Sequence, residues 1–123
     1  MKKAASDTER ERVLTEATLG AAESLGLKGE ALASVLGISP SSVSRMHNGD
    51  FQLNPDAKAW ELGVLLVRLY RGLDAIMAGD EEALRAWMNN PNRDLHANPA
   101  ELIRKVEGLV DTLAYVDAHR ARV

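Results

Sequence analysis

The sequence predicts an all-α chain in which an N-terminal helix-turn-helix precedes a second, small helical domain. Three observations lead there. No stretch alternates apolar and polar residues for long, and β-branched residues are scattered, so the period-two signal of strands is missing. Apolar residues recur instead at spacings of three and four. Helix punctuation is dense: Gly26, Gly37, Asn48-Gly49 and Gly79-Asp80 supply stops, while Ser39-Pro40, Asn54-Pro55 and Asn98-Pro99 supply starts.

The first helix is expected from about Asp7 to Leu25, with Val13, Ala17 or Thr18, Ala21 and Leu25 on its inner face and Gly26 ending it. A short helix follows over Lys28 to Leu36, closed by Gly37. Ser39 then reads as an N-cap and Pro40 as a first-turn proline. They open a third helix that turns Val43 and Met46 inward and stops at Asn48-Gly49.

After a connector, Phe51 to Asn54, a long apolar helix runs through Trp60, Val64, Val67 and Ile76. Leu62, Leu65, Leu66 and Leu69 spread apolar side chains around much of its circumference. Such a helix is buried on several sides, or one face meets another subunit. Leu62, Leu66, Leu69 and Leu73 are the residues expected at a homodimer contact. The alternative is that the first and last helices cover them within one chain. Glu81 to Met88 reads as a short helix and Asn89-Asn90-Pro91-Asn92 as a loop. The last helix opens at Asn98-Pro99 with a stripe of Leu102, Val106, Leu109, Leu113 and Val116, and Arg120 continues that face. The natural division is residues 1–53 and 54–123.

Glu30 to Asn48 carries the most information. A helix-turn-helix needs a small residue where its helices approach, and Ala33 supplies it. The turn needs a residue tolerant of positive φ, which Gly37 supplies. Leu32, Leu36, Ile38, Val43 and Met46 stand where the two helices must pack. The second helix would then enter the major groove of operator DNA with Ser41, Ser42, Ser44 and Arg45 leading. Arg45 can offer a guanine a bidentate fork, serines suit phosphates or base edges, and His47 reads equally as a phosphate contact or as an exposed histidine at a helix end. The competing reading is an ordinary αα-corner, which uses glycine for the same steric reason.

Composition limits the rest. The chain has 123 residues, 15 basic and 18 acidic, for a net charge of −3. Up to Leu53 there are 6 basic and 7 acidic residues, and beyond it 9 and 11. Neither part is a general polyanion binder. Without cysteine there are no disulfides or thiolate metal sites. No signal-peptide run follows Met1, and Leu62 to Leu69 is too short to span a bilayer. A cytoplasmic protein without membrane contact is expected. No metalloprotease helix, phosphate loop or nucleophile–base pair occurs at motif spacing. His96 and His119 lack metal-ligand spacing, and Trp60 and Trp87 read as core anchors. No enzyme activity, cofactor or metal is expected.

The second half resembles a known family. Leu65-Leu66-Val67-Arg68-Leu69-Tyr70-Arg71-Gly72-Leu73-Asp74 is similar to the entry of the toxin-binding domain of the Xre/MbcA/ParS antitoxins. So are Ala86-Trp87-Met88-Asn89-Asn90-Pro91-Asn92 and Asn98-Pro99-Ala100-Glu101-Leu102-Ile103. Val106-Glu107-Gly108-Leu109-Val110 with Tyr115-Val116-Asp117-Ala118 resembles that domain's closing helix. Two departures are Met88, where leucine is commoner, and His96-Ala97, where the family has a glycine-containing turn.

The resemblance implies an antitoxin that neutralises a RES-domain, NAD-consuming toxin by occluding its active-site cleft, and that represses its own operon. It points to the chain's end, with Arg120, Arg122 and Val123 as toxin-binding residues. The apolar stripe stops at Val116, which leaves that end outside the chain's own core. The competing reading of the two arginines is that they offset the helix macrodipole. A plain transcription regulator, whose second domain only dimerises or senses a ligand, is the alternative for the whole chain.

Overall fold

In the computed structural model, which describes residues 5–121, seven helices and one isolated β-bridge between Asn92 and Ala97 account for the regular structure. The helices are α1 (Ala5–Leu25), α2 (Gly29–Leu36), α3 (Pro40–His47), α4 (Lys58–Met77), α5 (Glu81–Asn89), α6 (Pro99–Leu102) and α7 (Val106–Ala121). The all-α reading holds, with the helix-turn-helix first and a second helical unit after it.

Helix α4 is the axis of the fold. It packs against α1 on one side and α7 on the other, with α2 and α5 also in contact. Two glycines set these approaches. A Cβ on Gly63 would stand 3.0 Å from Thr18 Oγ1 on α1, and one on Gly72 would stand 2.8 Å from Val116 Cγ1 on α7. The result corrects the expected dimer contact. Leu62, Leu66, Leu69 and Leu73 are only 5%, 0%, 0% and 1% exposed, inside the single chain. The neighbouring helices of the same chain cover the apolar circumference that periodicity alone could not assign. Each such leucine contributes about 1.5–3 kcal/mol by leaving water. What α4 leaves exposed is Lys58 and Glu61 in its first turn and then a narrow stripe of Val64, Arg68, Arg71 and Ala75.

The inner face of α1 also differs from expectation. Val13 is 51% exposed, while Glu11, Thr15, Thr18, Ala21, Ala22 and Leu25 point inward. The reason is partly polar. Thr15 Oγ1 accepts the backbone N–H of Leu53 at 2.9 Å, which satisfies a buried donor in the extended connector between α3 and α4. Leu53 itself is buried. Before α4, the Asn54 side chain accepts from Asp56 N at 2.8 Å, and one turn intervenes before the helix starts at Lys58.

The expected last helix is two helices. The Asn98-Pro99 start gives one turn, α6. The chain then bends over residues 103–105, with Ile103 fully buried, and α7 starts at Val106. This bend rotates Val106 outward, where it is 56% exposed, while Leu109, Thr112, Leu113 and Val116 face the core. The corner ties the two parts of the chain together. Arg104 Nη2 donates to Ser34 Oγ on α2 at 3.0 Å and lies 3.8 Å from Glu30. Ser24 Oγ, at the end of α1, donates to Glu81 of α5 at 2.7 Å.

Candidate functional site

Two surfaces hold the residues that the sequence singled out. The first is α2–turn–α3. Gly37 adopts φ 68° and ψ 31°, the left-handed conformation that the turn demands. Ile38 N closes it on Ala33 O at 3.1 Å. Ala33, Leu32, Leu36, Val43 and Met46 are buried where the helices meet. Ser39 caps α3 as expected, its Oγ accepting Ser42 N at 3.1 Å, and Pro40 follows in the first turn.

Ser41, Ser44, Arg45 and His47 are exposed on α3. Ser42 is the exception. It is 9% exposed, and its hydroxyl lies 2.9 Å from Ser39 Oγ and accepts from Arg45 Nη2 at 3.2 Å. Ser42 therefore positions Arg45 and does not itself reach outward. A second contact was not anticipated: the Arg45 guanidinium stands 5.4 Å from the centre of the Phe51 ring, a cation–π geometry. Gly49, at φ 81°, turns the chain back so that Phe51 arrives beside Arg45. The clue was an aromatic two residues past a glycine stop.

The second surface is the end of α7 with the α5–α6 loop. Trp87 stacks on Tyr115 with ring centres 6.4 Å apart, and His119 packs on Tyr115 at 4.2 Å. The His119 ring nitrogen Nδ1 lies 3.0 Å from the Tyr115 carbonyl oxygen. Tyr115 donates its hydroxyl to Asp94 at 2.7 Å. That hydrogen bond, helped by slight burial and the carboxylate's charge, holds the phenol above its ordinary pKa. Both tryptophans are half-buried and pack against the core.

The loop carries a strained residue. His96 has φ 65°, and its N–H donates to Asn92 O at 2.8 Å. Beyond Val116 the helix leaves the core: His119 is half-buried, and Arg120 is exposed with no ion pair among the described residues. Arg122 and Val123 lie outside the described residues. No described helix is long and apolar enough to cross a membrane. No cluster of metal-binding side chains occurs among the described residues.

Comparison with known proteins assigns both parts of the chain to known domains. Residues 4–68 match the antitoxin Xre-like helix-turn-helix domain, and residues 73–122 match the antitoxin Xre/MbcA/ParS C-terminal toxin-binding domain. The mycobacterial cidal antitoxins MbcA of Mycobacterium tuberculosis and Mycobacterium bovis are 32% identical over 108 residues, which covers 83% of this chain and 92% of theirs. A chain in the crystal structure of the M. tuberculosis MbcT–MbcA toxin–antitoxin complex is 31% identical, with TM-score 0.66, covering 90% of this chain and 96% of that one.

Proposed function

Because the chain belongs to the Xre/MbcA/ParS antitoxin family, and so has an antitoxin's role toward a cognate toxin, we propose that it occludes the active site of a RES-domain, NAD-consuming toxin with the end of α7. The observation that carries this is the way α7 outruns its own core. Val116 is the last fully buried side chain, yet the helix continues to Ala121 with Arg120 exposed and unpaired among the described residues. A guanidinium at a projecting helix end can pair with acidic groups in a partner's cleft. Arginine is also a favoured interface anchor. Arg122 and Val123 extend the same end and belong to the same contact. The similarity to the antitoxin of the MbcT–MbcA complex supports a partner of this kind.

Deleting Arg120 to Val123 removes a segment whose two described residues, Arg120 and Ala121, are exposed. The shortened chain should fold and melt like the parent, while losing the ability to protect cells that co-express the neighbouring toxin. Growth and cellular NAD are the readouts. Normal growth with undiminished NAD would place the inhibitory contact elsewhere.

The helix-turn-helix supports a second activity, repression of the chain's own operon as a homodimer. Arg45, held by Ser42 and Phe51, is ready to read a base, with Ser41, Ser44 and His47 exposed around it. The two half-sites would lie roughly 34 Å apart. With one arginine on α3, a single copy neutralises few phosphates, and a second copy doubles the contacts.

A further inference from the structure

The large apolar side chains that stand exposed among the described residues fall into two pairs: Val13 with Val64, and Val106 with Val110. The pairs differ in the charge around them. Val13 on α1 and Val64 on α4 line an open groove of about 560 Å³, floored by Leu14, Ala17, Trp60 and Val67. Arg10, Arg68 and Arg71 stand around it, against the single carboxylate of Glu9. Arg10 sits 5.6 Å from the centre of the Trp60 ring, and Arg71 has no ion pair among the described residues. Val106 and Val110 are one turn apart on α7. At 100° per residue they share an outward stripe with Ala114, edged by Glu107 and Asp111, all of them exposed. So the groove is basic and the stripe is acidic, in a chain of net charge −3.

Both patches open on the same side of the molecule. α4 lies between α1 and α7, and its outward stripe separates them. The ion pair of Arg68 with Asp117, 3.4 Å long, joins α4 to the outer flank of α7. A face that carries both a basic apolar groove and an acidic apolar stripe is complementary to itself. Across a twofold axis, each groove can receive the other copy's stripe, so one contact is made twice.

We propose that this three-helix face is where two copies of the chain associate, the Val13–Val64 groove of one receiving the Val106–Val110 stripe of the other. The inference rests on the homodimer reading and names its surface, which the buried leucines of α4 cannot supply. Charge pairing at the edges sets the register, and the valines leave water at the centre.

A charge swap in the full-length chain, without toxin, tests it by sedimentation at micromolar concentration. Arg71→Glu makes the groove less basic. Glu107→Arg with Asp111→Arg makes the stripe basic. Each variant alone should dimerise at least about tenfold more weakly than the parent: the first loses the groove's net positive charge and its attraction to the stripe, and the second sets a basic stripe against a basic groove, at both contacts. Mixed in equal amounts, the two variants should associate more tightly than either does alone, since the second variant's basic groove then meets the first variant's acidic stripe. All these side chains are exposed, so helix content and melting must stay at the parent's values. Val64→Asp should also give monomer.

A parent chain that is monomeric removes the homodimer reading and this surface with it. A dimeric parent whose variants stay dimeric keeps the homodimer but places its contact elsewhere. Monomeric variants that do not re-associate when mixed refute the pairing of groove with stripe. If the variants stay dimeric and also fail to copurify with co-expressed toxin, the face belongs to the toxin instead.

Discussion

Gly108 offers a direct test of how α7 is held. It is the third residue of α7, half-buried against the α6 corner. A Cβ built there would lie 1.9 Å from the Leu102 carbonyl oxygen, 2.6 Å from the Leu102 carbonyl carbon and 3.1 Å from its Cα. Ordinary carbon–oxygen contacts are about 3.3 Å or longer, so Gly108→Ala must open the corner by more than about 1 Å. The obstacle is backbone, which cannot rotate away as a side chain would. Ile103 and Leu109, at 1% and 0% exposure, are the core residues on either side of the bend and must shift with it. Overpacking of this kind costs about 1–3 kcal/mol or more, against a propensity gain of about 1 kcal/mol when alanine replaces glycine in a helix. With backbone as the obstacle, the upper end applies, and the net expectation is a loss of about 2 kcal/mol. For a domain of this size that lowers Tm by about 8 °C. Gly20 provides the control. It lies exposed in α1 with nothing within 4 Å of a built Cβ, so Gly20→Ala should gain about 0.5–1 kcal/mol. Urea unfolding followed by circular dichroism should separate the two variants by about 3 kcal/mol. If Gly108→Ala is as stable as the parent, the corner is not closed on Leu102 and the steric argument fails.

Thr15→Val keeps the shape of the side chain but leaves the buried Leu53 N–H without its acceptor. Urea unfolding should show a loss of about 1–3 kcal/mol, whereas a loss below half a kilocalorie would mean that water takes the threonine's place. His96→Gly relieves a left-handed backbone at φ 65°. It should raise stability by about 1 kcal/mol, read as a higher Tm, and an unchanged or lower Tm would show that the histidine carries no strain. Arg45→Ala should weaken binding to the chain's own promoter fragment by about 1–3 kcal/mol if the side chain reads a base. Gel-shift titration at fixed salt measures it, and equal affinity would remove Arg45 from the DNA contact.

The local features were legible because their causes are local. Ala33, Gly37, Ser39 and Pro40 each answer a steric or hydrogen-bonding demand within a few residues, and each stands where the sequence placed it. His96 was legible too, as a departure from a glycine-containing turn, and it proves to sit at positive φ. The tertiary assignments were harder. Periodicity shows that α4 is apolar on many sides but not whether neighbours or a second copy cover them. α1 has no clean apolar stripe, because it buries Thr15 and Thr18, and counting hydrophobic residues therefore turned Val13 the wrong way. The break between α6 and α7 carries no glycine or proline at residues 103–105, so one continuous stripe was read through a bend. Phe51 escaped notice because its partner, Arg45, lies beyond a turn whose geometry only the fold supplies.

The position of α4 between α1 and α7 has a consequence for how the chain opens. Its inner leucines belong at once to the core beneath the helix-turn-helix and to the core that carries α7, and Arg104 and Ser24 pin the same seam. The slowest-exchanging amides of α3's supporting core and of α7 should therefore report one shared opening event and not two. Any ligand that grips the folded chain at either end raises the free energy of that single event by mass action. On the proposed reading, DNA held at α3 would then shield the α7 end from proteases, and a partner held at α7 would shield α3, although neither ligand touches the other's surface.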